Sequence, residues 1–194
     1  MLNRITDPAL IDRARAMRDT IFMDSMHLRP KWVEETDATV IAQENESSLH
    51  PDYFPAIIRA CNIISPGATW WAISEDFNSG GEPRPTDPKC WRIIPTEESL
   101  DMLSFKIFPF DCMIFTDELN AAFSYVNPSE FTLIAGPRRF IDAYAGSYEA
   151  AAKEFSEFVE DCIQQEQELG FPRVAEALRA NFAIPMSQMR LGNA

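Results

Sequence analysis

The sequence predicts an α+β protein: a mainly antiparallel sheet of about five strands with helices packed on it, ending in long C-terminal helices. Two observations carry this expectation. Between Cys90 and Pro137 the chain breaks into short runs, WRIIP, FKIFPF, DCMIFTDEL, AAFSYVNP and EFTLIAGP, separated by turn residues. They are rich in aromatic and β-branched residues, the signature of successive strands. Their connections are too short for parallel crossovers, so neighbours should pair antiparallel. Outside this stretch, apolar residues recur at helical spacing near the N-terminus and again from Ser147. The order helix, mixed, strands, helices is that of an α+β fold.

Each element has its own reason. Asp7 followed by Pro8 is a helix start, and Leu10, Ala14, Met17 and Ile21 then share a face, so a helix is expected over 8–26. Pro30 reads as its stop. Trp32–Val33 and Ala38–Gln43 read as possible strands. Pro51 opens a short helix with Phe54, Ile57, Ile58 and Cys61 on one face, ended by Ser65-Pro66-Gly67. Ala68–Glu75 reads as a strand on which Trp70 and Trp71 face opposite ways. Trp71 shares its side with Thr69 and Ile73 and is the expected core residue. Trp70 shares its side with two alanines, so a helix covers it or it lies at a surface.

Phe77–Lys89, with Gly80-Gly81 and three prolines, cannot be regular and reads as a long loop. Thr96-Glu97-Glu98 starts a short helix with Leu100 and Leu103 inward. Asn127-Pro128-Ser129 turns a hairpin. A helix is expected over 137–145, stopped by Gly146. Ser147 caps the best helix in the chain, with a stripe from Tyr148 to Ile163, running to about Leu169. A further helix follows through Phe182, and 185–194 should fray. With 194 residues and no persuasive linker, one domain is expected over 1–194.

No apolar run approaches the length of a membrane span, and the N-terminus carries charges where a signal peptide needs an apolar stretch. Cys61, Cys90, Cys112 and Cys162 form no C-x-x-C pair and lie among apolar neighbours. They read as reduced, buried residues of a cytoplasmic protein. The net charge is −13. Residues 34–130 hold seventeen carboxylates against five Lys/Arg, whereas 1–33 are slightly basic. Such a field repels phosphate backbones and attracts a basic partner.

Catalytic signatures are sparse. His27 and His50 sit at element edges, outside any metal-binding pattern. No phosphate loop, nucleophile elbow or dinucleotide fingerprint occurs. No cofactor and no metal are expected. Glu75-Asp76 and Asp117-Glu118 end predicted strands, where paired carboxylates can do chemistry, although acidic residues are also ordinary in turns. Arg138-Arg139 after Gly136-Pro137 opposes a helix dipole and so offers a weak anion site, unless the arginines pair with the chain's own carboxylates.

The reading favoured by composition is a non-catalytic acidic protein that docks on and occludes a basic protein partner. The expected docking residues are Trp70, Glu75, Asp76, Glu97, Glu98, Asp117 and Glu118, an exposed tryptophan among carboxylates. Trp70→Ala should then cost partner binding more than stability. In size and composition, though in no motif, the chain is similar to the small acidic immunity proteins with which bacteria neutralise toxins, which implies a toxin as one possible partner. Two alternatives stay open. One is an enzyme or small-ligand protein with a cleft at the strand ends lined by Glu75, Asp76, Asp117 or the Arg138-Arg139 pair. The other is a structural or assembly subunit.

Overall fold

Among the described residues seven strands form one antiparallel sheet in the order β1-β4-β3-β5-β6-β7-β2. The strands are β1 (Leu2–Ile5), β2 (Thr39–Glu44), β3 (Trp70–Glu75), β4 (Lys89–Ile93), β5 (Asp111–Phe115), β6 (Ala122–Tyr125) and β7 (Phe131–Gly136). Six helices accompany them among the described residues: α1 (Pro8–Ile21), α2 (Pro30–Thr36), α3 (Phe54–Ile64), α4 (Glu97–Ile107), α5 (Arg138–Ala145) and α6 (Tyr148–Leu169). The computed structural model describes residues 1–44, 49–75, 89–107, 111–125 and 131–169. The expected loop over 77–89 falls largely outside them. The hairpin turn at 127–129, the helix after Gly170 and the frayed end 185–194 also lie outside.

Both faces of the sheet are covered, which explains why β5 and β7 are buried at every residue instead of at alternate ones. On one face Trp71, Ile73, Met113, Phe115 and Leu133 pack with Ala14, Ile21, Trp32 and Val33 of α1 and α2. On the other, Trp70, Ala72, Trp91, Ile114, Phe123 and Ile134 pack with residues of α3, α4 and α5. Helix α6 reaches both clusters, through Phe155 on the first side and Ala151 on the second. It therefore runs past the β2 edge, a position that shields an otherwise open strand.

Local chemistry sets the ends of the elements. The Asp7 carboxylate accepts the Ala9 N–H at 2.9 Å, and Pro8 takes the first helical position of α1. Thr96 and Ser99 cap α4 reciprocally, Ser99 N–H to Thr96 Oγ1 at 3.2 Å and Thr96 N–H to Ser99 Oγ at 2.9 Å. The last residue of β7, Gly136, stands where a Cβ would lie 2.8 Å from the Phe140 ring and 3.1 Å from Ala121, and Pro137 follows it at the start of α5.

Five expectations are corrected, four of them in the elements. The sheet has seven strands, not about five; β1, too short to carry a pattern, is held by its pairing with β4. Trp32–Val33 is helical, within α2, because Pro30 opens that helix and does not stop the previous one. Helix α1 ends at Ile21, where Phe22 turns extended and bridges to Leu28. The FKIF run is not a strand start, since Phe105–Ile107 complete α4.

The largest correction concerns Trp70. It does face away from Trp71, but it is fully buried, at 0% exposure. Its ring stacks on Phe140 of α5 at 6.1 Å between centroids and lies 6.0 Å from Phe123. The alanine on its side of β3, Ala72, did not signal a surface. Small neighbours make room for one large ring and for the helical layer that covers it.

Candidate docking cleft

The register separates the carboxylates expected to act together. Glu75 pairs with Asp111 at one end of the strands, while Asp117 and Glu118 follow β5 at the other. The length of β5, about 13 Å at roughly 3.3 Å per residue, lies between them. Asp76 lies outside the described residues, and the Glu75 side chain is not described. Glu97 and Glu98 are exposed in the first turn of α4, where the helix dipole favours them.

Asp117 is engaged internally. Arg92 forks onto it, Nη1 to Oδ1 at 3.0 Å and Nη2 to Oδ2 at 2.6 Å, and Trp71 Nε1 donates to Oδ1 at 2.6 Å. The Arg92 guanidinium lies 4.4 Å from the Trp71 ring centre, and Arg13 reaches the same carboxylate at 3.7 Å. The Arg92 hydrogen bond, assisted by that from Trp71, holds the Asp117 carboxyl below its ordinary range against the opposing effect of burial. This assembly ties the β5–β6 turn to β3, β4 and α1, while the Asp117 side chain stays partly exposed.

Arg138 is likewise taken up by its own chain. It bonds Asp142 at 3.2 Å and Glu149, and its guanidinium lies 4.1 Å from the Tyr148 ring centre. Of the two readings of this arginine, pairing with carboxylates is the one the structure supports. Arg139 is exposed beside it on α5. Asp142 also accepts the Tyr148 N–H at 2.8 Å, so the cluster fixes the angle at which α6 leaves α5.

That angle creates a cleft of about 570 Å³ between α6, the β2 edge and the start of α3. Ile41, Ala42 and Gln43 of β2 form its floor. Tyr53, Ala56, Tyr144 and Ala145 form one wall, and Ala151, Glu154, Glu157, Phe158 and Asp161 of α6 form the other. Tyr144 Oη donates to Gln43 Oε1 at 2.6 Å. Burial pushes the Tyr144 phenol well above its ordinary range, so it stays a neutral donor. Arg59 braces the same wall by donating to the Ala143 and Tyr144 carbonyls at 3.3 and 3.4 Å. Glu154, Glu157 and Asp161 are exposed, and Glu157 meets Lys153 at 3.6 Å.

None of the site residues expected from the sequence lines this cleft. The α6 carboxylates had a signal that averaging hid. Over 131–194 the chain is only mildly acidic, but Tyr148–Leu169 alone carries seven carboxylates against one lysine. Positions 154, 157 and 161 also fall on one helical face. Tyr53, Tyr144 and Gln43 carried no signal at all; only tertiary packing gathers them.

Among the described residues no group of three or more His, Cys, Asp or Glu side chains is placed to hold a metal ion. No helix among them is long and apolar enough to cross a membrane. Comparison with protein-family models, with curated proteins and with solved structures returns no match.

Proposed function

We propose that this chain is a non-catalytic binding protein that docks on a basic protein and occludes it, in the manner of an inhibitor or immunity protein. The cleft between α6 and β2 is the docking centre in this reading, in place of the dispersed residues named from the sequence. One observation carries the proposal: Glu154, Glu157 and Asp161 line the mouth of a concave site whose other wall is tyrosine and alanine. Such a site presents negative potential to an incoming cation beside apolar surface that a docked partner would cover. The remaining α6 carboxylates extend the field and favour fast encounter with a positive surface.

The test is capture of partners from the native host at low and high salt, run in parallel with the triple variant Glu154→Gln, Glu157→Gln, Asp161→Asn. The expected result is a basic protein retained by the wild type at low salt, released at high salt and not retained by the variant. Equal capture by both proteins would refute the cleft as the docking centre. A wild type that holds no basic protein at either salt would refute the function.

A further inference from the structure

Two of this protein's arginines are held in the same way. Arg92 is held between the Trp71 ring and the Asp117 carboxylate, and Arg138 between the Tyr148 ring and the carboxylates of Asp142 and Glu149. Each pairing sets a flat, weakly hydrated guanidinium against an aromatic face and gives its edge to carboxylate oxygens. The cleft offers the same two kinds of wall. The half-buried Tyr53 and Phe158 supply ring surface beside the buried Tyr144, and Glu154 and Asp161 stand exposed on α6 among the residues that line the same cleft.

We propose, on the docking reading above, that the cleft takes an arginine side chain of the partner in preference to a lysine. Charge complementarity alone would accept either cation. The ring surface separates them. A guanidinium sheds water readily and can lie along Phe158 or a tyrosine while its fork reaches a carboxylate. An ammonium is a compact, strongly hydrated charge with no planar face to lay down. It would meet the carboxylates at the mouth and gain little from the rings. The occupant is thus a partner loop presenting an exposed arginine, and a surface basic only through lysine would dock more weakly.

The experiment is a pair of NMR titrations of the full chain with N-acetyl-arginine amide and N-acetyl-lysine amide. The Gln43 side-chain amide and the Ala145 and Ala151 backbone amides report on the cleft. Arginine amide is expected to saturate those shifts at about tenfold lower concentration than lysine amide, the scale of one desolvated ring–cation contact. Phe158→Leu, which keeps apolar bulk but removes the ring, should bring arginine amide close to the lysine level while lysine amide is unaffected. An unchanged unfolding midpoint of that variant excludes a collapsed cleft as the cause. Equal saturation by the two amides in the wild type would overturn the arginine preference and leave docking on a basic partner standing. Cleft signals unmoved by either amide would overturn the arginine preference; joined with capture of a basic protein that the triple variant retains, they would overturn the cleft as docking centre as well and leave docking on a basic partner standing.

Discussion

Adjacent tryptophans on β3 allow the packing argument to be tested by substitution. Trp70 and Trp71 are buried to nearly the same degree, 0% and 3% exposed, on opposite faces. They differ in their indole nitrogens. Trp71 Nε1 donates to the Asp117 carboxylate at 2.6 Å, whereas Trp70 Nε1 is buried without a hydrogen-bond partner among the described residues. Phenylalanine keeps a ring at either site and removes the N–H. At position 71 that forfeits a hydrogen bond to a charged group, about 1.5–3 kcal/mol, with the lower end expected because Asp117 is partly exposed. At position 70 the same change deletes a donor whose burial alone costs about 1–3 kcal/mol, which offsets much of the lost ring volume. Trp71→Phe should therefore destabilise by at least about 1 kcal/mol more than Trp70→Phe. Trp70→Ala, which removes the stack on Phe140 and Phe123, should cost about 3–5 kcal/mol. Urea unfolding followed by circular dichroism, extrapolated at constant m-value, measures all three. If Trp70→Phe proves the costlier of the two phenylalanine variants, the hydrogen-bond reasoning is wrong. If Trp70→Ala leaves the midpoint in place, so is the burial.

Further outcomes follow from the same structure. Gly136→Ala drives a methyl into the Phe140 ring and should cost about 1–3 kcal/mol of overpacking, read as a lower urea midpoint. Because the folded Asp117 carboxyl titrates below its unfolded value, its contribution is present above the unfolded value, near pH 4, and is lost as pH falls through the folded one. Wild type should exceed Asp117→Asn in stability at pH 6, and the two curves should converge towards pH 2; a constant gap would contradict the pairing. Tyr125→Phe removes a buried hydroxyl without a hydrogen-bond partner among the described residues and should leave stability equal or higher. Burial raises the thiols of Cys61 and Cys112 well above their ordinary range, so neither should react with iodoacetamide at pH 8 until the protein is unfolded.

Some of this was legible in the chain itself. The caps at Asp7 and Thr96, the end of β7 at Gly136 and the span of α6 rest on neighbours a few residues away, and local chemistry is enough to read them. The opposite facing of Trp70 and Trp71 follows from strand geometry alone. The burial of Trp70 does not, because it depends on Phe140, seventy residues later, and on the helical layer on that face. The fate of Asp117 was likewise hidden: Arg92, Trp71 and Arg13 converge on it from three elements.

What the sequence determined unaided was the kind of chain this is: acidic, rich in short strands, with helices capped and stopped by local residues. Tertiary structure alone decided which partners each carboxylate meets. A side chain's periodicity says which way it points, but an ion pair depends on what arrives opposite from elsewhere in the chain. So the strand-end acid that stood out in the sequence, Asp117, is bound up by arginines, while three glutamate and aspartate positions on α6 that looked like ordinary solvated helix surface line the cleft.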